Sequence, residues 1–372
     1  MGEATWDCTA RIGRQSEEAP RHLGTPDKPE AHGAVFSGQA RRELLTTAGN
    51  GPKRSLLPPG GMIWTMLVHV PRVKDMTAVS RTIKQIIEPQ FVIEGADVLL
   101  RRSFGPSRAN LFDPFLLFDH FAFNNPIEGP IVGFPTHPHR GIETVTYMLE
   151  GNVRHRDSLG NVGVIGPGDV QWMTSGRGIM HEEMPRRGPT GLINGFQLWV
   201  NLPAAQKMGR PRYQEVKESS IPAVDKDGAR VRVVAGEYGG TSGPVTEIAA
   251  RPLYMDVTLE SGAQASFPTA GGHTVVAYVF EGSGRFGING ETPGESVEAV
   301  RLAVFEEGDF VSVQAGPGSG VRFMLMAGAP FRETIFPYGP FVMNTQEEIQ
   351  QALTDLRNGT FVQSEPESLT ES

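Results

Sequence analysis

"FPTHPHRGIETVTYMLEG", residues 134–151, sets His137 and His139 one residue apart, just ahead of an apolar run. Side chains of an extended strand alternate between its two faces, so residues two apart share a face. The run "ETVTYMLE" alternates polar and apolar residues, as a half-buried strand does. Two imidazoles on one strand face can hold a metal ion, or they can be a surface pair closing a Pro-rich loop. The surrounding chain bears on which reading holds.

Downstream, short apolar runs alternate with turn signals. Thr144–Leu149 precedes Gly151-Asn152, Val153–Arg156 precedes Ser158–Asn161, and Val162–Ile165 precedes Gly166-Pro167-Gly168-Asp169. Strands of this length and spacing predict an all-β barrel or sandwich. The opening stretch also has an echo, "FPTAGGHTVVAYVFEG" (267–282), in which Tyr147 lies over Tyr278 and Gly141 over Gly272. Further on, "PGDVQWMTSGRGIMHEE" (167–183) lies over "EGDFVSVQAGPGSGVRF" (307–323). Such self-similarity predicts two tandem copies of one β-domain, here 78–215 and 216–362. The second copy closes with a helix whose apolar positions are Ile349, Leu353 and Leu356, with Thr345 as N-cap and Gly359 as stop.

Composition narrows the function classes. The 372 residues carry a net charge of -8, which argues against direct nucleic-acid binding. Cys8 is the single cysteine, which excludes a disulfide framework and suggests a reducing compartment, so a cytoplasmic protein is expected, or a nuclear one in a eukaryote. No apolar run is long enough to span a bilayer. Residues 1–77 mix Gly, Pro and both charges and read as a disordered extension, and 363–372 as a frayed acidic tail.

A second pair, His181 and Glu183 in "GIMHEEMP", repeats the two-residue spacing. If the two strands are neighbours, three imidazoles and a carboxylate converge, a donor set suited to iron(II), zinc, manganese, nickel, cobalt or copper. In the echo, His137 falls on Ala270, His181 on Val321 and Glu183 on Phe323, while the turn residues persist. A scaffold would retain such residues in both copies; a metal held by one copy predicts their joint loss from the other. Glu143, in step with His139, competes with Glu183 as the carboxylate ligand. His155 reads as a solvated hairpin position, and His120 and His273 as structural.

These motifs resemble the cupin superfamily and, more closely, the pirin family. The cupin first motif is met by His137, His139 and Glu143. "FPTHPHRGIETVTYMLEG", "PGDVQWMTSGRGIMHEEMP", "FQLWVNLP" (196–203) and "YGPFVMNTQEEI" (338–349) resemble pirin signatures. The resemblance implies a bicupin, two tandem β-barrels with iron in the first, held by His137, His139, His181 and Glu183. Glu143 then becomes a neighbour of the metal, with Arg140, Phe134 and Trp172 around the pocket. It further implies a quercetinase-like dioxygenase, with a flavonol-like aromatic and dioxygen as substrates and Glu183 as proton acceptor. The alternative is a redox-sensing module, without turnover, that regulates a protein partner such as a transcription regulator through the surface around Arg140. A monomer is expected.

Overall fold

Between Ile83 and Met343 the chain runs mostly as strands, as its β-branched and aromatic runs broken by Gly and Pro dictate. The structure, a computed structural model, describes residues 78–363 apart from 126–131, 187–189, 291 and 319. The expectations for the extension at 1–77, with Cys8, and for the tail beyond Gln363 lie outside the described residues. Among the described residues no helix is long and apolar enough to cross a membrane.

The first series of strands is β1 (Ile83–Ile87), β2 (Gln90–Glu94), β3 (Val98–Phe104), β4 (Phe115–Asn124), β5 (Phe134–His139), β6 (Ile142–Glu150), β7 (Asn152–Asp157), β8 (Val162–Ile165), β9 (Val170–Thr174), β10 (Ile179–Arg186), β11 (Leu192–Asn201) and β12 (Arg212–Val216). The second is β13 (Ala223–Lys226), β14 (Ala229–Ala235), a small pair β15 (Glu237–Tyr238) and β16 (Thr241–Ser242), then β17 (Leu253–Leu259), β18 (Gln264–Pro268), β19 (Thr274–Phe286), β20 (Glu295–Glu298), β21 (Arg301–Phe305), β22 (Phe310–Ala315) and β23 (Val321–Gly328). A hairpin, β24 (Phe336–Tyr338) and β25 (Phe341–Met343), leads into helix α1 (Gln346–Asn358). Thr345 caps α1 in a reciprocal capping box with Glu348, and Gly359 ends it in the left-handed conformation, as the sequence predicts.

Two sheets, β12-β9-β6-β11-β4-β3-β2 and β5-β10-β7-β8, make the first barrel. The second repeats that order as β1-β21-β19-β23-β17-β14-β13, with β22 joining β18 to the far half of β19. Matching partners strand by strand makes β22 the counterpart of β10, and β23 that of β11. This corrects the downstream part of the repeat. Val321 and Phe323 lie on β23, so the strand equivalent to the one bearing His181 and Glu183 is Phe310–Ala315, "FVSVQA". It too has neither histidine nor carboxylate.

The leading strands are exchanged. β1 pairs with β21 of the second barrel, and β12, which leads into the second series, pairs with β9 of the first. β1 therefore leaves the 78–215 segment to complete the other barrel. Arg81 fastens it there: buried, it donates to Thr269 Oγ1 and to the carbonyls of Glu306 and Ala270 at 2.8–2.9 Å.

The barrels meet along an apolar seam containing Val145, Tyr147, Trp172 and Phe196 of the first and Tyr254, Tyr278 and Met324 of the second. Burying each such side chain contributes about 1.5–3 kcal/mol. Some polar groups in the seam are tied off, although the buried Tyr254 hydroxyl has no hydrogen-bond partner among the described residues. The Tyr147 hydroxyl donates to Asp256 at 2.8 Å, and Arg322 holds the same carboxylate at 3.0 and 2.7 Å. His120 lies 2.9 Å from the Tyr278 hydroxyl, and burial pushes its pKa down to about 4.

The two interiors differ. The second is filled by apolar side chains such as Val257, Phe267, Val311 and Phe323. The first has only a small apolar end around Leu100, Phe121 and Met148, and elsewhere buries Thr146, His155, Gln171, His181 and Glu183. Buried polar groups of this density need partners, and they mark the barrel where chemistry is possible.

Candidate metal centre

β5 and β10 run antiparallel with His137 opposite His181, so the two-residue spacings of both strands converge inside the first barrel. His137 Nε2 lies 3.1 Å from His139 Nε2 and 2.9 Å from His181 Nε2. His137 Nδ1 donates to the Pro135 carbonyl at 2.8 Å, and His139 Nδ1 to the Pro340 carbonyl at 3.2 Å. A neutral imidazole has a single N–H, so these two rings aim bare Nε2 lone pairs at one point. Lone pairs so close repel unless a cation or proton lies between them. Burial pushes the pKa of His137 down and those of His139 and His181 well down, the latter two also repelled by charge on His137. All three rings are therefore neutral near pH 7, the form that binds metal. These histidines form a group able to hold a metal ion, and the donor set fits a divalent cation.

Glu183 lies past a register shift in β10, opposite Phe134. Its Oε1 accepts from the Thr146 hydroxyl at 2.8 Å, and its charge favours the protonated form of His137. Glu143 lies elsewhere. Along β6, Thr146 and Met148 face the barrel interior, whereas Glu143, Val145 and Tyr147 face the seam. Glu143 accepts from Thr174 at 2.8 Å, and burial raises its pKa to about 7. Counting parity from His139 fails because Gly141, at φ +81°, turns the chain between the two strands. A Cβ at Gly141 would also collide with the Val342 carbonyl.

Phe134, Phe121, Phe123, Thr146, Glu183 and Gln197 line a narrow cleft of about 30 Å³ beside the histidines. Trp172 is not on that wall; it is fully buried in the seam, edge-on to Tyr254. Arg140 is also buried rather than on the surface. It donates to Asp355 of α1 at 2.7 Å and lies over the Phe361 ring at 4.5 Å. His155, read from sequence as a solvated hairpin residue, is buried in the same interior, stacked on Tyr213 and bonded to Gln171 at 2.9 Å. Its charged neighbours Arg154 and Arg156 on β7 hid that inward position.

Sequence reading missed four further residues. Trp199 packs edge-to-face on His139 with ring centroids 5.1 Å apart. Gln197 meets the Thr146 hydroxyl at 2.8 Å. Both follow from period two in "FQLWVN" once β11 is set beside β6. Buried Lys207 donates to the Gly141 and Val342 carbonyls and to Asn201 Oδ1 at 2.6–2.8 Å. Burial pushes its pKa down to about 7, while three acceptors match the three N–H bonds of an ammonium. Pro340 arrives from the far end of the chain, and no local pattern announces it.

Tandem β-barrels with an imidazole cluster in the first define a bicupin. Residues 97–200 match the Pirin family, and residues 254–362 match the pirin C-terminal cupin domain. A pirin-like protein of Caulobacter vibrioides is 43% identical over 76% of this chain and 99% of that protein. A putative quercetin 2,3-dioxygenase of Pseudomonas aeruginosa is 44% identical over 72% of this chain and 93% of that protein. The crystal structure of quercetin 2,3-dioxygenase from Acinetobacter baumannii matches with a TM-score of 0.69 at 33% identity, covering 76% of this chain and 99% of that one. The chain belongs to the pirin family of the cupin superfamily.

Proposed function

We propose that the first barrel binds one divalent metal, iron(II) in the cell, through His137, His139, His181 and Glu183, and that the protein opens the ring of flavonol-like aromatics with dioxygen. The observation that carries this reading is the convergence of three neutral imidazoles on one point; the buried Glu183 carboxylate lies outside that cluster but close enough to act electrostatically on His137. The names of the Pseudomonas and Acinetobacter proteins support the substrate class.

A metal bound there supplies Lewis acidity toward a flavonol enolate. The chain's own residues do the rest. Thr146 holds one oxygen of Glu183, and the other, when it is not on the metal, would accept the flavonol hydroxyl proton. Phe134 and Phe123 give the cleft flat apolar walls, and the buried barrel interior keeps water out. Sites for drug-sized ligands enclose about 300–1,000 Å³, so a flavonol enters only when these rings turn aside.

That narrowness favours a second reading, a redox-sensing metal-binding module that regulates a protein partner without turnover. One assay separates the two. Protein loaded anaerobically with iron(II) is given quercetin and then oxygen, and loss of flavonol absorption is followed. Turnover is the expected result, and His181→Ala should abolish it together with metal content. One equivalent of bound metal without turnover would favour the module. Full metal content in His181→Ala would overturn the ligand assignment.

A further inference from the structure

The C-terminal segment touches the histidine arm at several points. The Pro340 carbonyl accepts a hydrogen bond from His139 Nδ1–H. Val342 N donates to the Arg140 carbonyl at 3.2 Å. Asp355 of α1 binds the buried Arg140 guanidinium, and the Phe361 ring lies beneath it. Lys207 ties Gly141 to Val342. On the other strand Met180, beside His181, packs against the cluster of Phe341, Ile349 and Phe361. The segment thus sets the tautomer of one candidate ligand and clamps the residue that follows it.

We infer that Asp355 and Pro340 are positioning residues for the metal, so that docking of the C-terminal segment and metal binding are coupled. This inference rests on the metal site proposed above. Coupling between two binding equilibria is reciprocal. If the docked segment tightens the site, the bound metal must hold the segment down by the same factor. Metal occupancy then becomes legible in α1. Groups that orient metal-bound histidines typically change metal affinity by about 10–100-fold when removed.

The test uses the full chain with Zn²⁺ or anaerobic Fe²⁺ as probe. Hydrogen exchange of peptides covering residues 339–358 is measured with and without metal, alongside the dissociation constant of the metal. In the wild-type chain, metal should slow exchange across α1. Asp355→Asn should weaken metal binding about tenfold and shrink the metal-dependent slowing, and Asp355→Glu should restore part of both. Thr345→Ala, which removes the cap at the opposite end of α1, should raise exchange with and without metal yet keep the difference. Metal bound by the wild-type chain with no change in α1 exchange would overturn the coupling alone. So would wild-type affinity in Asp355→Asn. No metal bound by the wild-type chain would overturn the site and the coupling together.

Discussion

Glu143 and Glu183 are both buried carboxylates of the first barrel, yet only Glu183 faces the imidazoles. The histidine pair and His181-x-Glu183 were legible because each lies within one strand, where residues two apart share a face. Glu143 was misleading because Gly141 interrupts the count. The two carboxylates should titrate differently. Burial holds the Glu143 pKa near 7, above the 4.5 of an exposed glutamate. Between those values the folded state carries the extra proton, so its contribution to stability is full below pH 4.5 and is lost as pH rises through 7. Glu143→Gln should remove about 3 kcal/mol of that pH dependence. Urea unfolding at pH 5 and pH 8 measures it, and a variant with the parent's pH slope would refute the assignment. The same change should leave metal content intact.

At the scale of elements, strands and helix were legible and their partners were not. α1 could be read from its cap, its stop and its apolar spacing, all of them local. β1 could be recognised as extended but not assigned to the second barrel, because pairing between residues over two hundred positions apart leaves no local signature. The displaced repeat alignment has a related cause. Gly-Asp turns precede both β9 and β22, so similar turns sat before strands that are not equivalent. Exchange makes Arg81 a test of the element it anchors. Arg81→Ala removes three hydrogen bonds, two of them to backbone carbonyls, and should destabilise the protein by about 3 kcal/mol. A shift in urea midpoint reports this, and a loss below about 0.5 kcal/mol, the range of ordinary surface changes, would show that β1 is not held through Arg81.

For the whole molecule, the seam and the exchanged strands make the two barrels one cooperative body. Thermal unfolding should therefore be a single transition in which far-ultraviolet circular dichroism and tryptophan fluorescence coincide, with Trp172 reporting from the seam and Trp199 from the metal centre. Metal at a hundred times its dissociation constant should add about 2.7 kcal/mol, which raises the midpoint by roughly 4–5 °C for a body of this size. A chelator should reverse the rise. Two separated transitions, with only one moved by metal, would show that the seam does not couple the barrels. The acidic balance and the single cysteine read from the sequence bear on solubility and redox setting, not on this cooperativity.

The exchange of β1 also orders events in time on the ribosome. Ile83–Ile87 is made before any other described strand, but its partner Arg301–Phe305 emerges more than two hundred residues later. At roughly 5–20 residues per second, the "IKQII" segment waits about 10–40 s with its edge unpaired. The first barrel can fill its interior during that delay, since β1 contributes nothing to it, but the second cannot close until Arg301–Phe305 has been made. Lys84, the second residue of the waiting strand, places a charge where edge-to-edge aggregation would otherwise begin.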